Sequence, residues 1–185
     1  MKDCMFPRAK VHDFPLSCHS AYYFAKCKHN EVISKDGTKG QKRKGSGVPY
    51  FVHPKGVVAI VMEHGGTEDQ IKAALLHDTI EDTDTSYLEL KANFGEHVAE
   101  LAHELTNCKY KIEKIGKEDY MSNKLLHLSE EALLVKLADM LYNITNMPAL
   151  QAKTRMLKNV SHALLHREFK NDECYKLAVE VFGVD

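Results

Sequence analysis

The sequence lacks the features that mark several common classes of protein. No apolar run approaches the length of a membrane span, and the N-terminal stretch MKDCMFPRAK lacks the apolar core of a secretion signal. Neither sign of charge is in excess, because 25 basic residues stand against 26 acidic ones and the net charge is -1. No overall field therefore favours nucleic acid or an anionic membrane, although a local anion site stays open. We expect a cytoplasmic protein with neither a nucleic-acid nor a membrane partner.

Paired cysteine spacing is missing as well. The chain has an odd number of cysteines, namely Cys4, Cys18, Cys27, Cys108 and Cys174. With no C-x-x-C pair among them, a disulfide framework and a zinc knuckle are both disfavoured. We expect free thiols. The alternative is a nucleophilic Cys27 between Lys26 and Lys28, although a cysteine flanked by lysines is usually incidental.

What is present is helical periodicity over most of the 185 residues. Apolar stripes, cap residues and glycine stops predict one all-α domain, since the chain is long enough to bury one good core. Helices are expected over 17–29 with Ser17 as cap, from His53 at a cap position to Gly65, from Thr67 or Glu68 through 75–85, from Ser86 to Phe94, over 96–106, over 130–147 after Ser129, from Pro148 to about His166, and over 171–183.

Two stretches break this pattern. Residues 30–49 hold four glycines, one proline and five lysines or arginines, a composition that cannot bury much surface and predicts a loop. This loop is the most basic part of the chain. Residues 107–128 are lysine-rich and irregular, and we expect one short helix there between two mobile segments.

The strongest chemical signal is the stretch LLHDTIEDTDT at residues 75–85. Its polar members are His77, Asp78, Glu81 and Asp82. They follow an apolar run, where an uncompensated carboxylate is costly. On a continuous helix, residues four apart are neighbours, whereas the adjacent His77 and Asp78 would point roughly 100° apart. Partners from other helices are therefore expected.

Two candidates for such partners are Asp139 and His53. Asp139 lies among leucines in VKLADMLYN, so its carboxylate should point toward the core and need a cation or several hydrogen bonds. His53 stands at the head of its own helix, after an apolar Tyr-Phe-Val. With His77 and Asp78 they would make a site of two nitrogens and two carboxylates. This donor set favours Mn²⁺ over Fe²⁺ or Mg²⁺, with zinc as an alternative.

Beside such an ion, Glu81 and Asp82 would be placed to orient or deprotonate an attacking water. Each part of the pattern also has a plain structural explanation. A His-Asp dipeptide is common, Glu81-Asp82 alone suits an exposed acidic helix end, and Asp139 alone suits a capped or salt-bridged aspartate. The combination is more specific than its parts.

The order of these motifs resembles the HD-domain hydrolases of the Rel/Spo type, especially the small stand-alone alarmone hydrolases. The matching segments are His53-Pro54, LLHDTIEDT, Phe94-Gly95 and VKLADMLYN, and the likeness covers about residues 20–150. It implies a helical HD-domain bundle: a single domain over 1–185, with a core over about 17–150 and C-terminal helices over 148–183. No synthetase segment is seen, so alarmone synthesis is expected to need another protein.

The resemblance also implies an activity and its residues. The enzyme would remove pyrophosphate from the 3′ position of guanosine tetra- or pentaphosphate, with Glu81 and Asp82 supporting the attacking water and Asn143 contacting the nucleotide. The residues that would hold one Mn²⁺ are His53, His77, Asp78 and Asp139. The expected partner is thus a small-molecule nucleotide, and the oligomeric state stays open.

The basic loop departs from the family pattern. In the family, an Arg-Lys pair against the guanine base and phosphates follows soon after the residue matching His29, whereas here NEVISKDGTKGQ intervenes. The basic run Lys42-Arg43-Lys44 comes only afterwards, so which of the three takes which role stays open. A solvated charge run is the alternative. Tyr50 either lines the pocket or anchors the loop to the core.

Two further departures keep other functions open. The family often has a basic residue at the position of Met140 and an arginine at the position of Thr145, and a hydroxyl cannot replace two charge-assisted hydrogen bonds. One alternative is a phosphatase of another phosphorylated nucleotide, such as the 2′-phosphate of NADPH or a nucleoside monophosphate. Another is a non-catalytic nucleotide-binding module.

Overall fold

The computed structural model describes residues 10–34, 37–43, 46–146 and 150–183. Within these ranges every regular element is helical, and extended pairing is limited to two isolated bridges, Ile33 with Lys39 and Lys42 with Pro49. The expected all-α class is therefore confirmed. Over the same ranges, no helix is long and apolar enough to cross a bilayer.

The chain divides into two compact units, the first ending at Thr106 and the second beginning at Asn107. The single domain expected over 1–185 stays a prediction. The helices of the first unit are α1 (His19–Glu31), α2 (Val52–Glu63), α3 (Glu68–Leu76), α4 (Thr79–Asp82), α5 (Tyr87–Phe94) and α6 (Glu96–Leu105).

Helix α3 lies at the centre of the first unit. It packs against α1, α2 and α6, and its last four residues, 73–76, are fully buried. Thr67 caps it as expected, because its hydroxyl accepts from the Gln70 N–H at 3.3 Å while the Gln70 side chain accepts from the Thr67 N–H at 2.8 Å. The apolar run that precedes His77 is thus part of the packed core.

Two helices of the first unit begin elsewhere than expected. Helix α1 begins at His19, and Ser17, the expected cap, instead donates a hydrogen bond to Glu68. Helix α2 begins at Val52, so His53 lies within its first turn rather than at the cap. The expected glycine stop after α2 is confirmed, because Gly65 has a φ of +69°, which glycine adopts without steric cost.

The helix that carries LLHDTIEDTDT is not continuous. Helix α3 ends at Leu76, and the four-residue α4 begins at Thr79. The Thr79 hydroxyl donates to the Leu76 carbonyl at 2.7 Å, a side-chain bond that competes with the backbone ladder. His77 and Asp78 therefore occupy a junction between two helices, and the continuous helix expected through 75–85 is wrong.

The second unit is built around α9. Its helices are α7 (Lys109–Ile115), α8 (Lys117–His127), α9 (Glu130–Asn146), α10 (Leu150–His166) and α11 (Asp172–Phe182). Helix α9 packs against α10 and α11, and residues 132–142 are all buried. The Ser129 cap is confirmed, because its hydroxyl accepts from the Ala132 N–H at 3.2 Å. Pro148, expected to open the next helix, lies outside the described residues.

The single short helix expected over 107–128 is wrong. Two helices, α7 and α8, occupy this stretch, and Gly116 separates them with a φ of +84°. This left-handed conformation suits glycine and ends α7 locally.

Arg167 fixes the end of α8 to the start of α9. Its guanidinium donates to the carbonyls of Leu125 and Leu128 at 2.7 and 2.6 Å, and to the Glu130 carboxylate at 2.7 Å. The Arg167 side chain is only 8% exposed. Buried carbonyl groups at a helix end need such donors, so this contact should contribute substantially to the stability of the second unit.

The cysteines in the described part of the chain are free thiols, as expected. Cys18 and Cys174 are buried, whereas Cys27 and Cys108 are exposed. Burial raises the pKa of the Cys174 thiol to about 12. Cys4 lies outside the described residues.

Candidate functional site

Three side chains of the first unit converge at the junction between α3 and α4. Nε2 of His77 lies 3.0 Å from Oδ2 of Asp78 and 3.2 Å from Nε2 of His53. Nε2 of His53 lies 3.4 Å from the same Asp78 oxygen. Both imidazoles are buried. The break between the helices thus brings two adjacent side chains to one point, where a helix face would have kept them apart.

Neighbouring hydrogen bonds determine what these donor atoms offer. Nδ1 of His77 lies 2.7 Å from the carbonyl oxygen of Ala74. Because a carbonyl oxygen only accepts, Nδ1 of His77 donates to it, and Nε2 is left facing Asp78 and His53. The Tyr50 hydroxyl donates to the same Asp78 oxygen. Two imidazole nitrogens beside a carboxylate oxygen fit a divalent cation.

The Asp78 carboxyl is ionised in this setting. Burial raises its pKa, but the imidazoles of His77 and His53 outweigh burial and hold the pKa of this carboxyl well below its usual range. The junction therefore offers an ionised carboxylate oxygen to a cation.

Asp139 lies in the second unit, in the middle of α9, and is 7% exposed. Its Oδ2 accepts from Nζ of Lys136 at 2.7 Å, and its Oδ1 accepts from Nδ2 of Asn143 at 2.6 Å. The expected buried carboxylate is therefore confirmed, and it is also salt-bridged. Sequence reasoning missed Lys136, although its position one helical turn before Asp139 was a usable signal. The nucleotide contact of Asn143 stays a prediction.

The acidic pair lies on α4, with Glu81 half-buried and Asp82 exposed. Oδ2 of Asp82 accepts from Nε2 of Gln41 at 2.8 Å, and Oε1 of Gln41 lies 2.7 Å from Nδ1 of His29. Sequence reasoning identified neither Gln41 nor a site role for His29, because contacts between residues so far apart leave no local pattern. The water-supporting role of the acidic pair stays a prediction.

Tyr50 connects the basic loop to the junction. Its ring packs against the His29 ring with centroids 4.8 Å apart, and the Arg43 guanidinium lies 5.6 Å from the Tyr50 centroid. These contacts support the anchoring alternative for Tyr50. Lys42 is exposed, and Lys44 lies outside the described residues. Substrate roles for this loop and for Tyr50 stay predictions.

The two departures on α9 provide no positive charge. Met140 is buried, and the Thr145 hydroxyl donates within the helix to the Leu141 carbonyl at 2.9 Å. The positions where the resemblance leads one to expect basic side chains are thus filled by an apolar group and by a hydroxyl bonded to its own backbone.

Comparison with known proteins shows similarity to proteins with an HD domain, whose family model matches residues 31–164. A guanosine-3′,5′-bis(diphosphate) 3′-pyrophosphohydrolase of Aquifex aeolicus is 42% identical over 136 residues, which are 69% of this chain and 17% of that protein. Proteins with the same name, called MESH1, are 38% identical in Xenopus tropicalis and 39% in Homo sapiens over 126 residues. Those residues are 67% of this chain and 65% of either MESH1 protein, so the match spans less than two thirds of these relatives' lengths.

Solved structures show a corresponding likeness. A protein described as a metazoan ortholog of SpoT that hydrolyses ppGpp gives a TM-score of 0.71 at 25% identity, over 91% of this chain and 94% of that one. A Listeria monocytogenes protein gives a TM-score of 0.56 at 24% identity, over 74% of this chain and 99% of that one. The second likeness concerns the fold alone.

Proposed function

The chain belongs to the HD-domain family, and on that basis we propose that it is a metal-dependent hydrolase that removes the 3′-pyrophosphate from guanosine tetra- and pentaphosphate. The observation that carries the proposal is the convergence of His53, His77 and Asp78, whose donor atoms lie 3.0–3.4 Å apart. The substrate is inferred from the names of the Aquifex and MESH1 relatives. The cytoplasmic location stays a prediction.

We assign one divalent cation to His53, His77, Asp78 and Asp139. His53, His77 and Asp139 are all buried, and each offers a donor atom that suits a metal ion. Imidazole and carboxylate donors without thiolate favour Mn²⁺, with Fe²⁺, Mg²⁺ and Zn²⁺ as alternatives. When bound, the cation supplies Lewis-acid polarisation of a phosphoryl oxygen and lowers the pKa of water.

Glu81 and Asp82 are assigned to the attacking water. They follow the ligand pair by four residues, on α4, and the exposure of Asp82 lets a proton pass from it to solvent. The water oxygen bonds to the phosphorus attached at the ribose 3′ oxygen, and the bond from that phosphorus to the 3′ oxygen breaks. A carboxylate of the pair takes a proton from the water, and the departing 3′ oxygen takes a proton from solvent, so that guanosine tetraphosphate and water yield guanosine diphosphate and pyrophosphate.

The basic loop is assigned to the diphosphate groups of the substrate. Arg43 is its best-supported member, because its guanidinium lies against the ring of Tyr50, whose hydroxyl reaches the proposed ligand Asp78. A guanidinium presents two parallel donors to phosphate oxygens, which suits a polyphosphate. Lys42 and Lys44 supply further positive charge, while the ring of Tyr50 and the side chain of Asn143 complete the proposed set of substrate contacts.

A phosphatase of another nucleotide is the second candidate. Met140 and Thr145 favour it, since neither provides the cation that a substrate with four or five phosphates would use. A nucleoside monophosphate or the 2′-phosphate of NADPH carries less charge. Its binding would therefore lose less affinity from the lack of a cation at these two positions.

A substrate panel on one Mn²⁺-loaded preparation tests the proposal. We expect guanosine tetraphosphate to release pyrophosphate and guanosine diphosphate, with little turnover of NADPH or nucleoside monophosphates. Orthophosphate released mainly from NADPH or a monophosphate would support the second candidate. Protein that holds its metal but consumes none of these nucleotides would contradict both.

The Asp82→Asn variant separates an enzyme from a binding module. It should keep bound metal and lose turnover, because an amide cannot take a proton from water. The matched control is Asp84→Asn, whose exposed carboxylate pairs with Lys28 at 3.0 Å and has no assigned catalytic role. A binding module would give a different pair of results. The wild-type protein would bind the nucleotide without turnover, and Asp82→Asn would leave that binding unchanged.

A further inference from the structure

We propose that Gln41, held in place by His29, is a positioning residue that orients the Asp82 carboxylate for attack by water. The inference rests on the proposed function, in which Asp82 supports the attacking water. It adds two residues for which the sequence motifs indicate no such role.

Gln41 bridges Asp82 and His29 through both ends of its side-chain amide. Its Nε2 donates to Oδ2 of Asp82 at 2.8 Å, and its Oε1 lies 2.7 Å from Nδ1 of His29. A carboxylate oxygen only accepts, so the amino group of Gln41 faces Asp82 and the amide oxygen faces His29. Nδ1 of His29 must then carry a proton. Every hydrogen bond from His29 to Asp82 therefore has a fixed direction.

His29 is rigid enough to hold Gln41. It is 1% exposed, and its ring packs against that of Tyr50 with centroids 4.8 Å apart. Burial lowers the pKa of His29 in spite of the opposing hydrogen bond with Gln41, so the neutral ring is favoured at pH 7. In the part of the chain that the structure describes, its buried Nε2 has no hydrogen-bond partner, which suits a lone pair there and the proton on Nδ1.

The main chain fixes Gln41 from both sides. Its N–H donates to the His29 carbonyl at 2.9 Å, and its carbonyl accepts from the Tyr50 N–H at 2.8 Å. One residue earlier, the Gly40 N–H donates to the Val32 carbonyl at 2.8 Å. The described residues of 33–39, namely Ile33, Ser34 and 37–39, therefore belong to an excursion that is closed at its base. The long insertion in the basic loop leaves Gln41 next to the end of α1.

The hydrogen bond from Gln41 restricts the orientation of the Asp82 carboxylate. The Asp82 side chain is exposed on a helix of four residues, where a carboxylate has several rotamers to choose from. The bond from Gln41 restrains one carboxylate oxygen and leaves the other to accept the water proton. Hydrogen bonds that orient an active-site group typically account for about 10- to 100-fold in activity.

The Gln41→Met variant tests the inference, because methionine keeps the side-chain length and removes both hydrogen bonds. With guanosine tetraphosphate and Mn²⁺, kcat should fall about 10- to 100-fold, while KM changes less than about twofold and bound metal per chain is unchanged. The matched control is Gln151→Met, which changes an exposed residue of α10 and should keep the wild-type kcat. An unchanged kcat in Gln41→Met would overturn the inference, and so would a loss of bound metal.

Variants of His29 add a test that a merely structural role would not satisfy. His29→Leu removes the donor to Gln41, and its kcat should resemble that of Gln41→Met. The double variant should fall no further, because both changes break one hydrogen-bonded chain. His29→Asn places an amide donor near the former Nδ1 and should restore most of the lost kcat. The inference would be contradicted if the fold losses in kcat of the two single variants multiplied in the double variant. It would also be contradicted if His29→Asn had the same low kcat as His29→Leu.

The two proposals fail in distinguishable ways. Wild-type protein that holds metal but leaves the nucleotide intact would refute the proposed function and this inference with it. Wild-type turnover together with an unaffected Gln41→Met variant would refute the positioning role alone.

Discussion

Replacing Tyr50 with phenylalanine should weaken metal binding and leave the fold unchanged. The Tyr50 hydroxyl donates to Oδ2 of Asp78, the oxygen that lies 3.0 Å from Nε2 of His77. A hydrogen bond to a charged group contributes about 1.5–3 kcal/mol, and about 1.4 kcal/mol corresponds to tenfold in affinity. The Kd for Mn²⁺ should therefore rise about 10- to 100-fold. The phenylalanine ring can keep the packing against His29.

Calorimetric titration of metal-free protein with Mn²⁺ measures this Kd directly. The control is Tyr23→Phe, because Tyr23 is 53% exposed on α1 and should leave metal binding unchanged. A Tyr50→Phe variant with the wild-type Kd for Mn²⁺ but a raised KM for the nucleotide would refute the reasoning. Such a result would place the hydroxyl on the substrate instead of on the Asp78 carboxylate.

Thiol reactivity, the excursion at 33–39 and the contacts of Arg167 give three more predictions. At pH 8, Cys174 should react with iodoacetamide far more slowly than the exposed Cys27, because a pKa of about 12 leaves only about one Cys174 thiol in 10⁴ ionised. Mass spectrometry measures the two rates of alkylation. Equal rates would contradict the burial of Cys174. Replacing 33–39 by an Asn-Gly turn should keep kcat within about threefold, since the excursion is closed at its base; a large drop in kcat would indicate that it contacts substrate. Arg167→Met should lower the free energy of unfolding by about 3 kcal/mol in urea denaturation, with exposed Lys170→Met as control, and an equal effect of both would contradict the buried contact.

Several helix ends with a local cause could be predicted from the sequence. The Thr67 cap, the Gly65 stop and the Ser129 cap each depend on residues a few positions away, so the sequence pattern was sufficient. The break after Leu76 depends on the hydrogen bond that the Thr79 hydroxyl donates to the Leu76 carbonyl. A threonine next to a buried apolar run can also remain in a helix, so periodicity alone could not reveal the junction.

The candidate site shows the same division. His77 and Asp78 could be found because charged and polar groups directly after a buried apolar run are costly without a partner. Gln41 could not be found, because its bonds to His29 and Asp82 depend on where the basic loop returns to α1. Tertiary contacts across 12 and 41 residues leave no periodicity to detect.

The central claim is that His53, His77, Asp78 and Asp139 bind one divalent cation, and the amount of Mn²⁺ bound per chain in the Asp139→Ala variant tests it most directly. The account predicts one ion per wild-type chain and per chain of the control Asp119→Ala, whose residue is exposed on α8. Asp139→Ala should bind Mn²⁺ at least about 100-fold more weakly, and so lose it on dialysis. An Asp139→Ala protein that still holds one Mn²⁺ with the wild-type Kd would contradict the account.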